Sequence, residues 1–260
     1  MLLYKVLGLL LYFWGVAGTS SALKGSTIFH LIMTCLLLSL VYMKLPFYQL
    51  KFLKLVVILT AGMLSISFLS LIDAYVENKQ VSGSMQILII LLPPLVVKGV
   101  LLQFRRLFKR ILQGECMNKA NYILHFGVLI EDFLISEQNS LKRDETFLPD
   151  RETYYGVLSM KGNNSIEFEK LRSKKLTHEC ESQIYLLIAD QIGLAMTQKM
   201  KNSKLLALYL AQIYVKKIDN IPKALEIMRR LENTNALSSV NLPMRSSIEY
   251  INASLKRAYN

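Results

Sequence analysis

Residues 55–72 read LVVILTAGMLSISFLSLI, eighteen positions without a charge, closed by Lys54 on one side and Asp73 on the other. A bilayer's hydrocarbon core of about 30 Å takes roughly 20 mostly apolar residues as helix, and shorter spans survive when flanking charges reach the interface. A lipid-exposed N–H or C=O finds no partner, so the backbone available to such a run is a helix. Three more uncharged stretches share the first hundred residues: Val6 to Leu23, Gly25 to Met43 and Gln80 to Val97. Each is bounded by charge, with Lys5, Lys24, Lys44, Lys54, Asp73, Lys79 and Lys98 at the fences. The pattern predicts an all-α protein that opens with a four-helix transmembrane region.

Charge divides the chain in two. Only nine charged residues precede Arg105, while the other 41 of the 50 lie beyond it, at the density of a soluble domain. The net charge of +12 could suggest nucleic acid. Its placement argues otherwise, because much of the excess sits beside the membrane in Lys44, Lys51, Lys54 and in Arg105, Arg106, Lys109, Arg110. Juxtamembrane cations orient a chain and meet anionic lipid head groups, and no nucleic-acid motif accompanies them. Alternate loops are basic, whereas the third, Asp73 to Ser84, sets Asp73 and Glu77 against Lys79. Both termini are therefore expected in the cytosol. A cleavable signal sequence is the rival reading of the first stretch, with Ala17, Gly18 and Ser20 after the apolar run. The run is long for that, and a second stretch follows within a few residues.

Few polar groups lie inside the stretches. None contains Asp, Glu, Lys or Arg, the residues that mark proton relays and ion coupling in membranes. His30 reads as an interfacial or helix-contact histidine. Ala61, Gly62, Ser65, Ser67 and Ser70 suit close helix packing, with the hydroxyls bonding back to their own helix. Pro93-Pro94 is expected to break the fourth helix, since each proline lacks an N–H and clashes with the preceding turn. These spans read as an anchor.

Beyond the basic exit the periodicity turns amphipathic. Tyr122, Ile123, Phe126, Leu129, Ile130, Phe133 and Leu134 recur at three and four within Lys119 to Ser136, one strong helix. Such a helix could form a core or lie on a membrane. Gln138 to Glu152 reads as a polar loop, Tyr154 to Met160 as a short apolar element, and Ser165-x-x-Glu as a capping box. Further helices follow: Glu179 to Met200, one capped by Ser203, one capped by Asn220 with Pro222 in its first turn, and one from about Pro243. The organisation expected is 1–104 for the spans, 105–152 for the basic exit, amphipathic helix and polar linker, and 153–260 for a helical domain.

Leu210-Ala211-x-x-Tyr214-x-Lys216-x-x-Asp219-Asn220-x-Pro222-Lys223-Ala224-Leu225-Glu226 resembles a tetratricopeptide repeat crossing its internal turn. In such a repeat the small Ala211 and Ala224 let two helices approach and Tyr214 packs between them. Ala224 arrives one residue late for the usual spacing, and the closing Ala and Pro are missing. With the spans and basic exit, the chain resembles a short relative of the tiny macrocysts B/C family, polytopic membrane proteins with helical repeats. The likeness covers mainly Tyr154 onward. That family's His- and Cys-bearing segment is matched at best by His178-Glu179-Cys180, too few ligands for a structural zinc site.

Chemistry has little footing. The sequence holds no GxSxG, HExxH, P-loop or Rossmann glycine run. Cys35, Cys116 and Cys180 are far apart and form no CxxC, so neither a disulfide framework nor a zinc module is indicated. The sequons at Asn163 and Asn252 read as chance if residues 105–260 are cytosolic. His125 with Cys116, and the adjacent Glu131-Asp132, are explained by packing and solvation. The expectation is a membrane-anchored helical-repeat scaffold that recruits an unknown cytosolic protein, with no catalytic residue, cofactor or metal. Its sites are the lipid-facing cluster Arg105, Arg106, Lys109, Arg110 and the motif Leu210, Ala211, Tyr214, Pro222, Ala224, Leu225. A transporter or channel subunit is the alternative.

Overall fold

A computed structural model describes residues 20–46, 49–75, 82–116, 119–139, 144–161, 178–198, 203–233 and 253. Among them lie eight α-helices and no strand, as the all-α reading requires. The helices are α1 (Ser20–Lys44), α2 (Leu50–Tyr75), α3 (Ser82–Gln113), α4 (Ala120–Gln138), α5 (Arg151–Lys161), α6 (His178–Gln198), α7 (Lys204–Ile213) and α8 (Ile221–Asn233). The chain forms two compact units, Met1–Arg105 and Arg106–Asn260.

In the first unit α1 and α2 pack as an antiparallel hairpin, with the Lys24 ammonium 5.1 Å above the Tyr75 ring at its open end. Leu45 ends α1 with a φ of 42°. That left-handed backbone is unfavourable for leucine, and complete burial of its side chain offsets it. On α2 the buried stripe recurs every fourth residue: Leu53, Val57, Ala61, Ser65, Leu69, with Thr60 beside it. From α1, Ser26, Thr34 and Val41 are buried. The opposite faces carry large aliphatics: Ile32, Leu36, Leu40, Leu55, Leu59 and Ile66 are each at least half exposed, from 50% to 60%. Both faces are thus apolar: the outward one carries large aliphatics, as a water-soluble hairpin would not, and Ser26, Thr34, Thr60 and Ser65 join Leu53, Val57 and Leu69 inside.

Four of the hydroxyls are satisfied within their own helices. Thr34 donates to the His30 and Leu31 carbonyls, Thr60 to Val56, Ser65 to Gly62, and Ser67 to Met63, all between 2.6 and 3.0 Å. Gly62 departs from its expected part in helix packing, because a Cβ there would meet nothing within 4 Å. Ala61, one position earlier, faces the neighbouring helix instead.

Among the described residues two helices, Lys24–Lys44 and Leu50–Tyr75, are long and apolar enough to cross a membrane, with 11% and 28% of their apolar windows buried. The core helix of a soluble protein would be mostly buried. The first apolar stretch falls outside the described residues up to position 19, and the fourth lies on α3. There the proline expectation is corrected: α3 runs unbroken through Pro93 and Pro94. A proline pair removes two hydrogen bonds and crowds the turn before it, but the bonds on either side carry the helix across.

The second unit is built around α4. Ile123, Phe126, Leu129, Ile130 and Phe133 are fully buried, and His125 and Gly127 are buried on the same helix. This is a core helix, so the option that it lies on a membrane is set aside: its apolar stripe is already covered by protein. Phe133 stacks on Tyr154 with ring centroids 4.7 Å apart and meets Tyr155 edge-on at 5.4 Å. Phe108 and Phe147 make a second edge-on pair at 5.2 Å, so the polar 144–150 connection places one large anchor in the core. Arg151 Nε lies 3.1 Å from the largely buried Glu137 carboxylate, joining the start of α5 to the end of α4. The capping box at Ser165 and the helix expected from Pro243 lie outside the described residues.

Candidate functional site

The basic exit takes its form from α3. Leu101, Phe104, Leu107, Phe108, Ile111 and Leu112 are buried on one side, and this spacing turns Lys98, Leu102, Arg106 and Lys109 outward. The four expected cations are not equivalent. Arg106, Lys109 and Arg110 are exposed and Arg105 is half-buried. Arg110 Nε donates to Glu115 Oε2 at 3.0 Å. Gly114, with a φ of 86°, lets the chain turn back, and the Glu115 N–H reaches the Arg110 carbonyl at 3.0 Å. A glycine in this conformation is a common helix end. Here it delivers the carboxylate that neutralises one cation of the cluster.

The repeat-like motif is a helical hairpin. Leu210 and Ala211 are buried on α7, and Ala224 is fully buried on α8. Ala207, Leu208, Ala211 and Met228 form a small core that Val215, Ile221 and Leu225 pack against. Between the helices Tyr214–Ile218 forms one π-helical turn, ended by Asp219 in the left-handed region at a φ of 56°. A π turn spends one more residue than an α turn. Tyr214 is buried in this turn, with the Lys223 ammonium 5.0 Å above its ring. Asn220 caps α8 as expected: its Oδ1 accepts the Lys223 N–H at 3.2 Å. Pro222, exposed in the first turn, forfeits no bond. Ser203 occupies the cap position of α7, but its hydroxyl makes no capping bond. Its carbonyl alone engages the helix, accepting the Ala207 N–H at 3.1 Å.

A helical wheel places Lys217 on the solvated side of the hairpin. The π turn changes that. Lys217 Nζ lies 3.7 Å from Glu181 on α6, 3.9 Å from Glu131 on α4, and 4.7 Å above the Tyr185 ring. Gln138 donates to the second Glu181 oxygen at 3.3 Å. Tyr209 closes the cluster beneath: a Cβ on Gly127 would come within 2.6 Å of its hydroxyl, so glycine is what lets α7 lie this near α4. Burial raises the Tyr209 phenol, with Glu131 and Tyr185 adding to it. Burial likewise raises Tyr185, against the lowering pull of its hydrogen bond to Lys217. For Lys217 burial works downward, but the Tyr185 hydroxyl and the two carboxylates outweigh it and the net shift is upward. The lysine is therefore held charged and the phenols neutral, the reverse of a base or nucleophile tuned toward neutrality. This joint fastens the hairpin to α4 and α6.

Stability measurements can separate these faces. Ala211→Leu and Ala224→Leu should overpack the hairpin and cost about 1–3 kcal/mol each. Lys217→Met should cost about 1 kcal/mol through its lost ring and ion-pair contacts, and Arg229→Gln, on the exposed face of α8, less than about 0.5 kcal/mol. Because the Lys217 value is raised on folding, its contribution is present below pH 10.5 and fades as pH climbs through the raised value. Equal losses for all four variants in thermal melts would contradict this assignment of faces.

Among the described residues no group of His, Cys, Asp and Glu is assembled to hold a metal ion. Compared with family models, curated proteins and solved structures, the chain matches none.

Proposed function

We propose that this protein is a membrane-anchored helical scaffold whose second unit recruits a cytosolic protein. In this reading α1 and α2 cross the bilayer, the apolar stretches 6–23 and 80–97 supply two more spans, and both termini are cytosolic. The apolar outer face of the α1–α2 hairpin carries the reading. Large leucines and isoleucines face outward along its length, while Ser26, Thr34, Thr60 and Ser65 are buried beside Leu53, Val57 and Leu69, an arrangement that water opposes and lipid favours. Arg106 and Lys109 then lie against anionic head groups, each near-surface charge contributing about 1 kcal/mol. The α7–α8 hairpin, with its resemblance to one tetratricopeptide repeat of the tiny macrocysts B/C kind, is the partner-binding element, and no catalytic step is assigned. The transporter or channel alternative gains nothing from the Thr34, Thr60 and Ser65 hydroxyls, which are turned onto their own backbone rather than onto a path.

Glycosylation mapping tests the topology. An acceptor site placed within 76–84 should be modified in microsomes, and one appended after Asn260 should not. Modification of the appended site, or of the native sequon at Asn163, contradicts the orientation.

A further inference from the structure

Thr146 lies in the 144–150 connection between α4 and α5, and among the described residues it is the one exposed serine or threonine outside a helix. Its hydroxyl donates to Asp144 Oδ1 at 2.5 Å, and its backbone N–H reaches the same oxygen at 3.2 Å. This is an Asx turn in which one threonine donates twice. The Asp144 carbonyl accepts the Phe147 and Leu148 N–H groups at 3.2 and 2.9 Å. Immediately after the exposed hydroxyl, Phe147, Leu148 and Pro149 are buried, and Phe147 meets Phe108 edge-on at 5.2 Å. Asp144 therefore latches both the hydroxyl and the segment that anchors the connection in the core.

In sequence Thr146 follows Leu141-x-Arg143-x-x and precedes Phe147. An arginine three residues before a hydroxyl, with apolar side chains five before and one after, is a pattern read by basophilic protein kinases, whose acidic pocket pairs with the guanidinium. We infer that Thr146 is a phosphorylation site for such a kinase and that its modification unlatches the 144–150 connection. In the transfer the Thr146 hydroxyl proton passes to the kinase's catalytic aspartate and an Oγ–P bond forms to the terminal phosphorus of ATP. The bond from that phosphorus to the β-phosphate oxygen breaks, and ADP leaves with the electron pair.

The product has lost the donor that Asp144 accepted, and it carries a charge of about −1.5 to −2 in the same turn as Asp144 and Glu145. Repulsion among these groups opposes the turn. A connection opened by the kinase recloses over Phe147 when unmodified and stays open when phosphorylated. The inference rests on the topology proposed above for access alone, since kinase and ATP reach this connection when it is cytosolic.

The test uses the full chain in sealed microsomes, with magnesium ATP and a calcium/calmodulin-activated protein kinase as the probe, added from outside. Mass spectrometry should place phosphate on Thr146, and Arg143→Ala should lower its incorporation about tenfold. After solubilisation in mild detergent, chymotrypsin should cut after Phe147 about tenfold faster in the phosphorylated chain, because proteolysis follows the opened population. Thr146→Val, which removes the donor but adds no charge, should change that rate by less than about threefold. Labelling of Thr146 only once detergent has opened the microsomes supports the site and contradicts the topology. No label on Thr146 even in detergent, or label without faster cleavage, overturns the inference.

Discussion

Phe133→Ala should destabilise the second unit by about 3–5 kcal/mol, the range for emptying a phenylalanine site in a closed core. Phe133 is fully buried at the centre of α4. Its ring is both the stacking partner of Tyr154, with planes 7° apart, and the face that Tyr155 meets edge-on. Truncation removes two aromatic contacts, each worth about 0.5–1.5 kcal/mol beyond area burial, and leaves a void that α5 can close only by shifting. The loss should appear as a lower denaturation midpoint of the full chain in mild detergent, followed by near-ultraviolet tyrosine signal. Phe133→Leu, which fills most of the volume, should lose less than half as much. A loss below about 1 kcal/mol for the alanine variant would mean that α4 is a surface helix.

Much of that core was legible in the sequence because helical period and burial share one cause. Ile123, Phe126, Ile130 and Phe133 recur at three and four, and the same residues are fully buried. The Asn220 cap and the place of Pro222 were legible for a similar reason, since both follow from local backbone chemistry. Non-local consequences were not. Lys217 reads as a solvated lysine in any helical wheel, and only the π turn brings it to Glu131 and Glu181. Pro93-Pro94 misled in the opposite direction, since proline chemistry weakens a helix locally while the helix continues through it. At the basic exit all four cations look alike in sequence, whereas the Gly114 turn assigns Arg110 to Glu115.

The apolar outer face of the hairpin, on which the functional reading stands, was legible only in part. Ala61 and Ser65 were read as packing residues and are buried, but because both faces of α2 are apolar its periodicity is weak, and only the structure turns Ser70 outward and Leu53, Val57 and Leu69 inward. The measurement that bears most directly on this is the insertion free energy of Ile66→Arg, read in the full chain as the ratio of inserted to translocated α2 by flanking glycosylation acceptors. Ile66 is 60% exposed and close to the midpoint between Lys54 and Asp73. If lipid covers that face, arginine there should cost about 2.5–3 kcal/mol and lower the inserted-to-translocated ratio by about a hundredfold. Ser65→Ala, on the buried face, should leave insertion unchanged. A change below about 0.5 kcal/mol for Ile66→Arg, the size expected of a water-facing surface position, would contradict the membrane anchor.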